Sequence, residues 1–123
     1  RHLDERRLLV LLGSGGCGKT RLSIQLAAET LPRFPDGAWL VELAPVTDPG
    51  LVLQEVAATL RVNEVAGESL QTTLLAYLKG RQALLVVDNC EHLLSTCTPL
   101  IDTILKHCPK VSVIASSREV LGI

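Results

Sequence analysis

The sequence predicts an α/β domain built around a mostly parallel sheet, and three features carry that prediction. Short aliphatic runs alternate with helical patterns along the whole chain, as strands joined by crossover helices require. Hydrophobic residues make up 47% of the 123, yet Phe34, Trp39 and Tyr77 are the only aromatic side chains. That aliphatic wealth suits strands buried on both faces. Thirdly, the stretch Gly13-Ser14-Gly15-Gly16-Cys17-Gly18-Lys19-Thr20 separates the first aliphatic run from the first helical one.

The first strand is expected over about Arg7–Leu12. A helical pattern opens at Lys19 and carries Leu22, Ile24, Leu26 and Ala27 forward to Leu31, where Pro32 and Pro35 end it. Gly37 precedes a second strand, Ala38–Leu43. Asp48-Pro49 combines a capping carboxylate with proline at the first helical position, so a helix is expected from there to about Leu60. The polar stretch Asn63–Glu68 leads to another helix, Ser69–Lys79, which Gly80 can close. Gln82–Asp88 is the third strand, wholly apolar over Ala83–Val87 as a central strand should be. The helix after it covers His92–His107, with Leu93, Leu94, Leu100, Ile101, Ile104 and Leu105 for its buried face and Pro99 expected to kink or split it. A fourth strand, Lys110–Ala115, ends in Ser116-Ser117-Arg118. The whole chain, residues 1–123, reads as one domain, and its abrupt ends suggest a piece of a longer protein.

The glycine stretch reads G-x-x-x-x-G-K-T in the order strand, loop, helix, which is the context of a phosphate-binding loop. Gly13, Gly15, Gly16 and Gly18 let the backbone turn its N–H groups toward an anion, with Ser14 and Cys17 between them. The helix N-terminus adds partial positive charge. Lys19 can reach the β- and γ-phosphates of a nucleotide, and the Thr20 hydroxyl can help coordinate Mg²⁺.

Leu84-Leu85-Val86-Val87-Asp88 places a carboxylate at the end of an apolar strand, the pattern of a Walker B element, where it can hold the same Mg²⁺. Many ATPases of this kind put an acid directly after that aspartate to polarise the attacking water. Here the position is Asn89, which cannot accept a proton, so hydrolysis is expected to be slow. Glu91 is the remaining candidate base, although a first-turn helix position already favours a carboxylate there. Arg118 follows the fourth strand, and in an open parallel sheet ligands bind outside the carboxyl ends of the strands. A guanidinium at that edge can read the γ-phosphate and distinguish ATP from ADP.

Composition excludes several other classes. Twelve Lys and Arg against 13 Asp and Glu give a net charge of −1 with no basic cluster, which argues against direct DNA contact by this segment. Cys17, Cys90, Cys97 and Cys108 form no C-x-x-C pair and no zinc-type spacing with His2, His92 or His107; reduced, mostly buried thiols of a cytoplasmic protein are expected. Cys17 is the exception, since inward N–H groups and Lys19 beside it favour the thiolate and so oxidation. The apolar runs are strand length, too short to span a membrane.

The glycine loop with Arg21-Leu22, the segment Asp36-Gly37-Ala38-Trp39-Leu40-Val41-Glu42-Leu43-Ala44, the run Leu85–Leu93 containing Asp88-Asn89-Cys90-Glu91-His92, and Ala115-Ser116-Ser117-Arg118-Glu119 together resemble one family. It is the STAND class of P-loop ATPases (the NB-ARC-like group), in the branch found in bacterial LuxR-type and AfsR-like transcriptional regulators. The resemblance implies a three-layer P-loop NTPase sandwich with strand order 1-4-3-2, truncated before a fifth strand. It also implies an ATP/ADP switch joined to a winged helix, sensor repeats and an effector, closed with ADP and self-associating with ATP. By matching position, Gly13–Thr20 and Arg21 hold nucleotide, Thr20 and Asp88 the Mg²⁺, and Arg118 is the sensor arginine. Ser14 stands where proline is usual and Cys17 where a small aliphatic is usual. The alternatives are a catalytic P-loop enzyme, such as a fast ATPase or small-molecule kinase, and an interaction module independent of nucleotide. Against the first stand Asn89 and the lack of an Arg-bearing lid; against the second, the intact loop.

Overall fold

The computed structural model describes residues 7–12, 16–43, 46–88 and 94–117. Four strands, β1 (Leu8–Leu12), β2 (Ala38–Glu42), β3 (Leu84–Asp88) and β4 (Ser112–Ser117), alternate with helices α1 (Gly16–Thr30), α2 (Val52–Thr59), α3 (Leu70–Lys79) and α4 (Leu94–His107). The strands form one parallel sheet in the order β1-β4-β3-β2, as the resemblance implies.

Strand alternation sorts the aliphatic residues onto two faces. Leu84, Val86 and Ile114 pack with Ala27 of α1 and with Phe34. Leu85, Val87, Val113, Ala115 and Val41 pack on the other side against residues of α2, α3 and α4, including Val52, Val56, Leu74, Leu78, Ile101 and Ile104. The result is three layers with the sheet in the middle. Every residue of β3 is buried; truncating one of its leucines or valines to alanine would cost about 2–5 kcal/mol at the larger positions. The space left between β3 and the α2–α4 layer amounts to about 10 Å³. That is no more than one water, so the interior holds no ligand there.

Local chemistry explains where the elements start and stop. Ser69 caps α3, its hydroxyl accepting from the Thr72 N–H at 3.1 Å. Asp48 caps as expected, accepting from the Gly50 N–H at 2.9 Å, but what it opens is a 3₁₀ turn, Pro49–Leu51, before α2 proper. Pro99 does not split α4, which runs unbroken from Leu94 to His107. Pro99 is the sixth residue of the helix, past the first turn, so it removes one i→i−4 hydrogen bond without ending the helix. Gly80 ends α3 at φ −98°, without the left-handed conformation that a glycine cap usually supplies. That conformation belongs instead to Arg61 (φ 62°), just after α2, where nothing in the sequence signals it.

The Asp36-Gly37-Ala38-Trp39 segment turns out to be a clamp at the amino end of the sheet. Asp36 accepts from the Gln82 N–H through Oδ2 at 2.7 Å and donates its own N–H to the Gln82 carbonyl at 3.1 Å. The Trp39 indole N–H donates to the Asp36 carbonyl at 3.0 Å. Gly37 has φ +98°, a conformation that favours glycine, and a Cβ there would lie in a tight contact 3.2 Å from the indole nitrogen.

Arg7, just ahead of β1, ties three elements together. Its Nη2 donates to the Leu105 and Cys108 carbonyls, each at 2.6 Å, and its Nε to the Val111 carbonyl at 3.0 Å. The guanidinium thus caps the carbonyl end of α4 and opposes its dipole while anchoring the approach to β4. Arg7→Ala is expected to lower stability by about 2 kcal/mol, read as a lower urea midpoint at unchanged m-value; an unchanged midpoint would refute the clamp. A second expectation concerns Cys108, which is fully buried. Burial pushes its thiol up from the ordinary value, with Arg7 and Lys79 partly opposing. A thiol held protonated in the folded state favours folding at neutral pH, and that contribution is lost as pH rises past the ordinary thiol range of about 8.5. Cys108→Ala should therefore flatten the alkaline decline in the urea midpoint; an identical decline would contradict the assignment.

Candidate nucleotide-binding site

The sheet register brings the strand ends level. Leu12 pairs with Ser117, Val87 with Ala115, and Glu42 with Asp88. Residues 13–15 alone connect the end of β1 to the start of α1, so the first turn of α1 stands at this carboxyl edge. The helix begins at Gly16, earlier than the Lys19 that the helical pattern suggests. Gly16, Cys17, Gly18 and Lys19 thereby form its first turn, and their N–H groups are the ones a helix leaves without internal acceptors. No acidic side chain occupies that turn.

Asp88 ends β3 with 3% exposure, and Ser116, near the end of β4, is fully buried. The Ser116 hydroxyl donates to Asp88 Oδ1 at 2.5 Å. Alternation puts Asp88 on the α1 side of the sheet with Leu84 and Val86, and Ser116 on the same side with Ile114. A buried carboxyl group needs hydrogen-bonding partners to offset its lost hydration, and here one is supplied by the neighbouring strand. Glu42 shares the α1 side by the same alternation, is exposed, and pairs in register with Asp88.

Among the sequence-derived candidates, then, Asp88 and the backbone of Gly16, Cys17, Gly18, Lys19 and Thr20 meet at one edge. The side chains of Cys17, Lys19 and Thr20 are not among those described, and Gly13, Ser14, Gly15, Asn89, Glu91, His92 and Arg118 lie outside the described residues. Arg21 is exposed on α1. Two residues at the edge, Ser116 and Glu42, were not legible as site residues. The available signal was polarity at a strand end: a serine two positions after Ile114, and a glutamate closing an apolar run.

The donor chemistry fits a small hard cation. A carboxylate and hydroxyl groups are oxygen donors, and Mg²⁺ characteristically takes one or two carboxylates plus phosphate oxygens and water. Among the described residues there is no group of three or more His, Cys, Asp or Glu that would hold a metal by protein ligands alone. No described helix is long and apolar enough to cross a membrane.

A sheet of order 1-4-3-2, with a glycine loop leading into α1 and an aspartate closing a central strand, β3, defines a P-loop NTPase type of domain. A family model described as "AAA domain" matches residues 1–120, and the chain belongs to that family. It is 41% identical over 120 residues to a Mycobacterium bovis protein provisionally named an HTH-type transcriptional regulator, an alignment covering 98% of this chain and 13% of that protein. An uncharacterized protein of Mycobacterium tuberculosis strain H37Rv is 37% identical over 123 residues, covering 100% of this chain and 31% of that one. The chain thus spans well under half the length of these relatives. Among solved structures, Cdc6p from Pyrobaculum aerophilum superposes with a TM-score of 0.60 at 19% identity, over 91% of this chain and 32% of that one. At that identity the likeness is one of fold.

Proposed function

We propose that this chain is the ATP/ADP-binding switch of a signal-responsive transcriptional regulator, of the STAND (NB-ARC-like) subclass of LuxR-type and AfsR-like proteins. The observation that carries the reading is the placement of a buried carboxylate, Asp88, at the sheet edge where α1 begins within G-x-x-x-x-G-K-T. In this reading the first-turn N–H groups and residues 13–15 cradle the phosphates, and Lys19 neutralises the β- and γ-phosphates. Thr20 and Asp88 hold Mg²⁺, which supplies charge neutralisation between phosphate oxygens. Arg118 distinguishes ATP from ADP, and Arg21 lies one step along α1 from the phosphate site.

Hydrolysis is slow because Asn89 replaces the acid that would polarise water, leaving Glu91 as the candidate base. The partners are the other domains of the longer chain, among them a winged helix, sensor repeats and an effector. The provisional name of the M. bovis relative supports a role in transcription, while a net charge of −1 argues against DNA contact by this segment. Self-association with ATP bound and a cytoplasmic setting complete the proposal.

Calorimetric titration with Mg-ATP and Mg-ADP tests it. Lys19→Ala is expected to weaken ATP binding by about 100-fold, the loss of a charge-assisted phosphate contact, with unchanged far-UV circular dichroism. Unchanged affinity in the folded variant would sink the assignment of Lys19. Turnover at saturating Mg-ATP is expected well below about 1 per second, under the usual enzyme range; a rate inside that range would favour a true catalyst over a switch.

A further inference from the structure

We propose that the amino end of the sheet carries a second ligand site, a groove that binds a small oxyanion, the phosphate or carboxylate group of a small molecule. It lies at the opposite end of β4 from the nucleotide edge. Ser112 opens that strand and Ser117 closes it, roughly 16 Å apart at about 3.3 Å per residue. No residue is common to the two sites, so this one goes beyond the nucleotide-binding reading and stands or falls without it.

The floor of the groove provides the leading observation. Among the described residues the buried polar or charged ones are Thr30, Asp88, Ser112 and Ser116. Thr30 donates to the Leu26 carbonyl, and Ser116 donates to Asp88. The Ser112 hydroxyl has no hydrogen-bond partner among the described residues, although Ser112 is only 6% exposed. Its backbone N–H reaches the Ala83 carbonyl at 3.0 Å, so only the side chain is left over. Alternation puts that side chain on the α1 side of the sheet with Ile114. There it lines a groove of about 280 Å³ together with Arg33, Phe34, Gln82, Pro109 and Lys110. A buried hydroxyl without a partner is a standing cost to folding, which a ligand oxygen in the groove would remove.

The walls supply the rest of a donor set. The Gln82 amide nitrogen donates to the Arg33 carbonyl at 2.9 Å, which fixes the side chain and leaves its second N–H for a ligand. Arg33 and Lys110 bring positive charge, and no described carboxylate lines the groove. Asp36, which accepts from the Gln82 N–H, is opposed by Arg81 at 3.8 Å. Cations are favoured wherever helices end, yet the last carbonyls of α4 already receive Arg7. Lys110 makes no hydrogen bond or ion pair among the described residues. Hydroxyl, amide N–H and ammonium are all donors, and together they complement oxygen acceptors that carry negative charge. Phe34 and Pro109 add an apolar wall for the body of the ligand.

The test follows the amide NMR signals of the ¹⁵N-labelled chain during titration with inorganic phosphate and, separately, with acetate. Ionic strength is held constant, and sodium chloride serves as the control. Saturable shifts are expected at Arg33, Gln82, Lys110 and Ser112, and the tighter of the two anions identifies the group. Ser112→Ala and Lys110→Ala should each weaken binding about tenfold, the usual effect of one hydrogen bond to a charged group. Because the hydroxyl has no partner in the fold itself, Ser112→Ala should not lower the urea midpoint measured without either anion. That midpoint separates a hydroxyl kept for a ligand from a structural one. Shifts that stay linear, that chloride reproduces, or that are confined to residues 16–20 overturn the proposal. So does undiminished affinity, or a lowered urea midpoint, in Ser112→Ala.

Discussion

A strand paired on both edges and covered on both faces can carry a carboxylate only at its end, and β3 is such a strand. It is hydrogen-bonded to β2 and β4, it is buried along its whole length, and its last residue is Asp88. The two packed faces fix the height and twist of β3 relative to its neighbours, so the position of Asp88 is set by the core rather than by a loop. Register does the rest: β4 brings Ser116 to the carboxyl group, β2 brings Glu42 alongside, and β1 ends where the glycine loop begins. A rigid sheet with chemistry confined to one edge is the arrangement expected of a parallel α/β domain.

The two ends of the sheet divide the work. At the amino end, the Asp36–Gln82 pairing, the Trp39 indole bond and the Arg7 clamp close the strands and helices on one another. These residues lie far along the strands from the carboxyl edge, so the Asp36-Gly37-Ala38-Trp39 part of the family pattern is best understood as structural. At the carboxyl edge the conspicuous groups are polar: the first turn of α1, the buried Asp88, and the exposed Glu42. Sequence motifs of both kinds look alike on paper, and only their placement separates them.

Much of the fold was legible because its signals are redundant. Aliphatic runs bounded by Gly, Pro and Asp located all four strands to within a few residues, and Ser69 and Asp48 marked helix entries by their capping chemistry. What escaped was set by tertiary context. The start of α1 at Gly16 runs against the low helix propensity of glycine. Pro99 reads as a breaker yet sits inside a continuous helix, and the left-handed Arg61 has no local signature at all. At the site, Asp88 was legible through its strand-end position. Ser116 was not, because its role exists only once β4 lies beside β3, and that adjacency joins residues 28 positions apart.

The central claim is that phosphate and magnesium meet at this edge of the sheet. A crystal structure of the chain grown with Mg-ADP tests it most directly. The account predicts the β-phosphate against the first turn of α1, with the cation close to the Asp88 carboxylate. Nucleotide bound elsewhere on the molecule, or bound at the loop with its metal remote from Asp88, would contradict it.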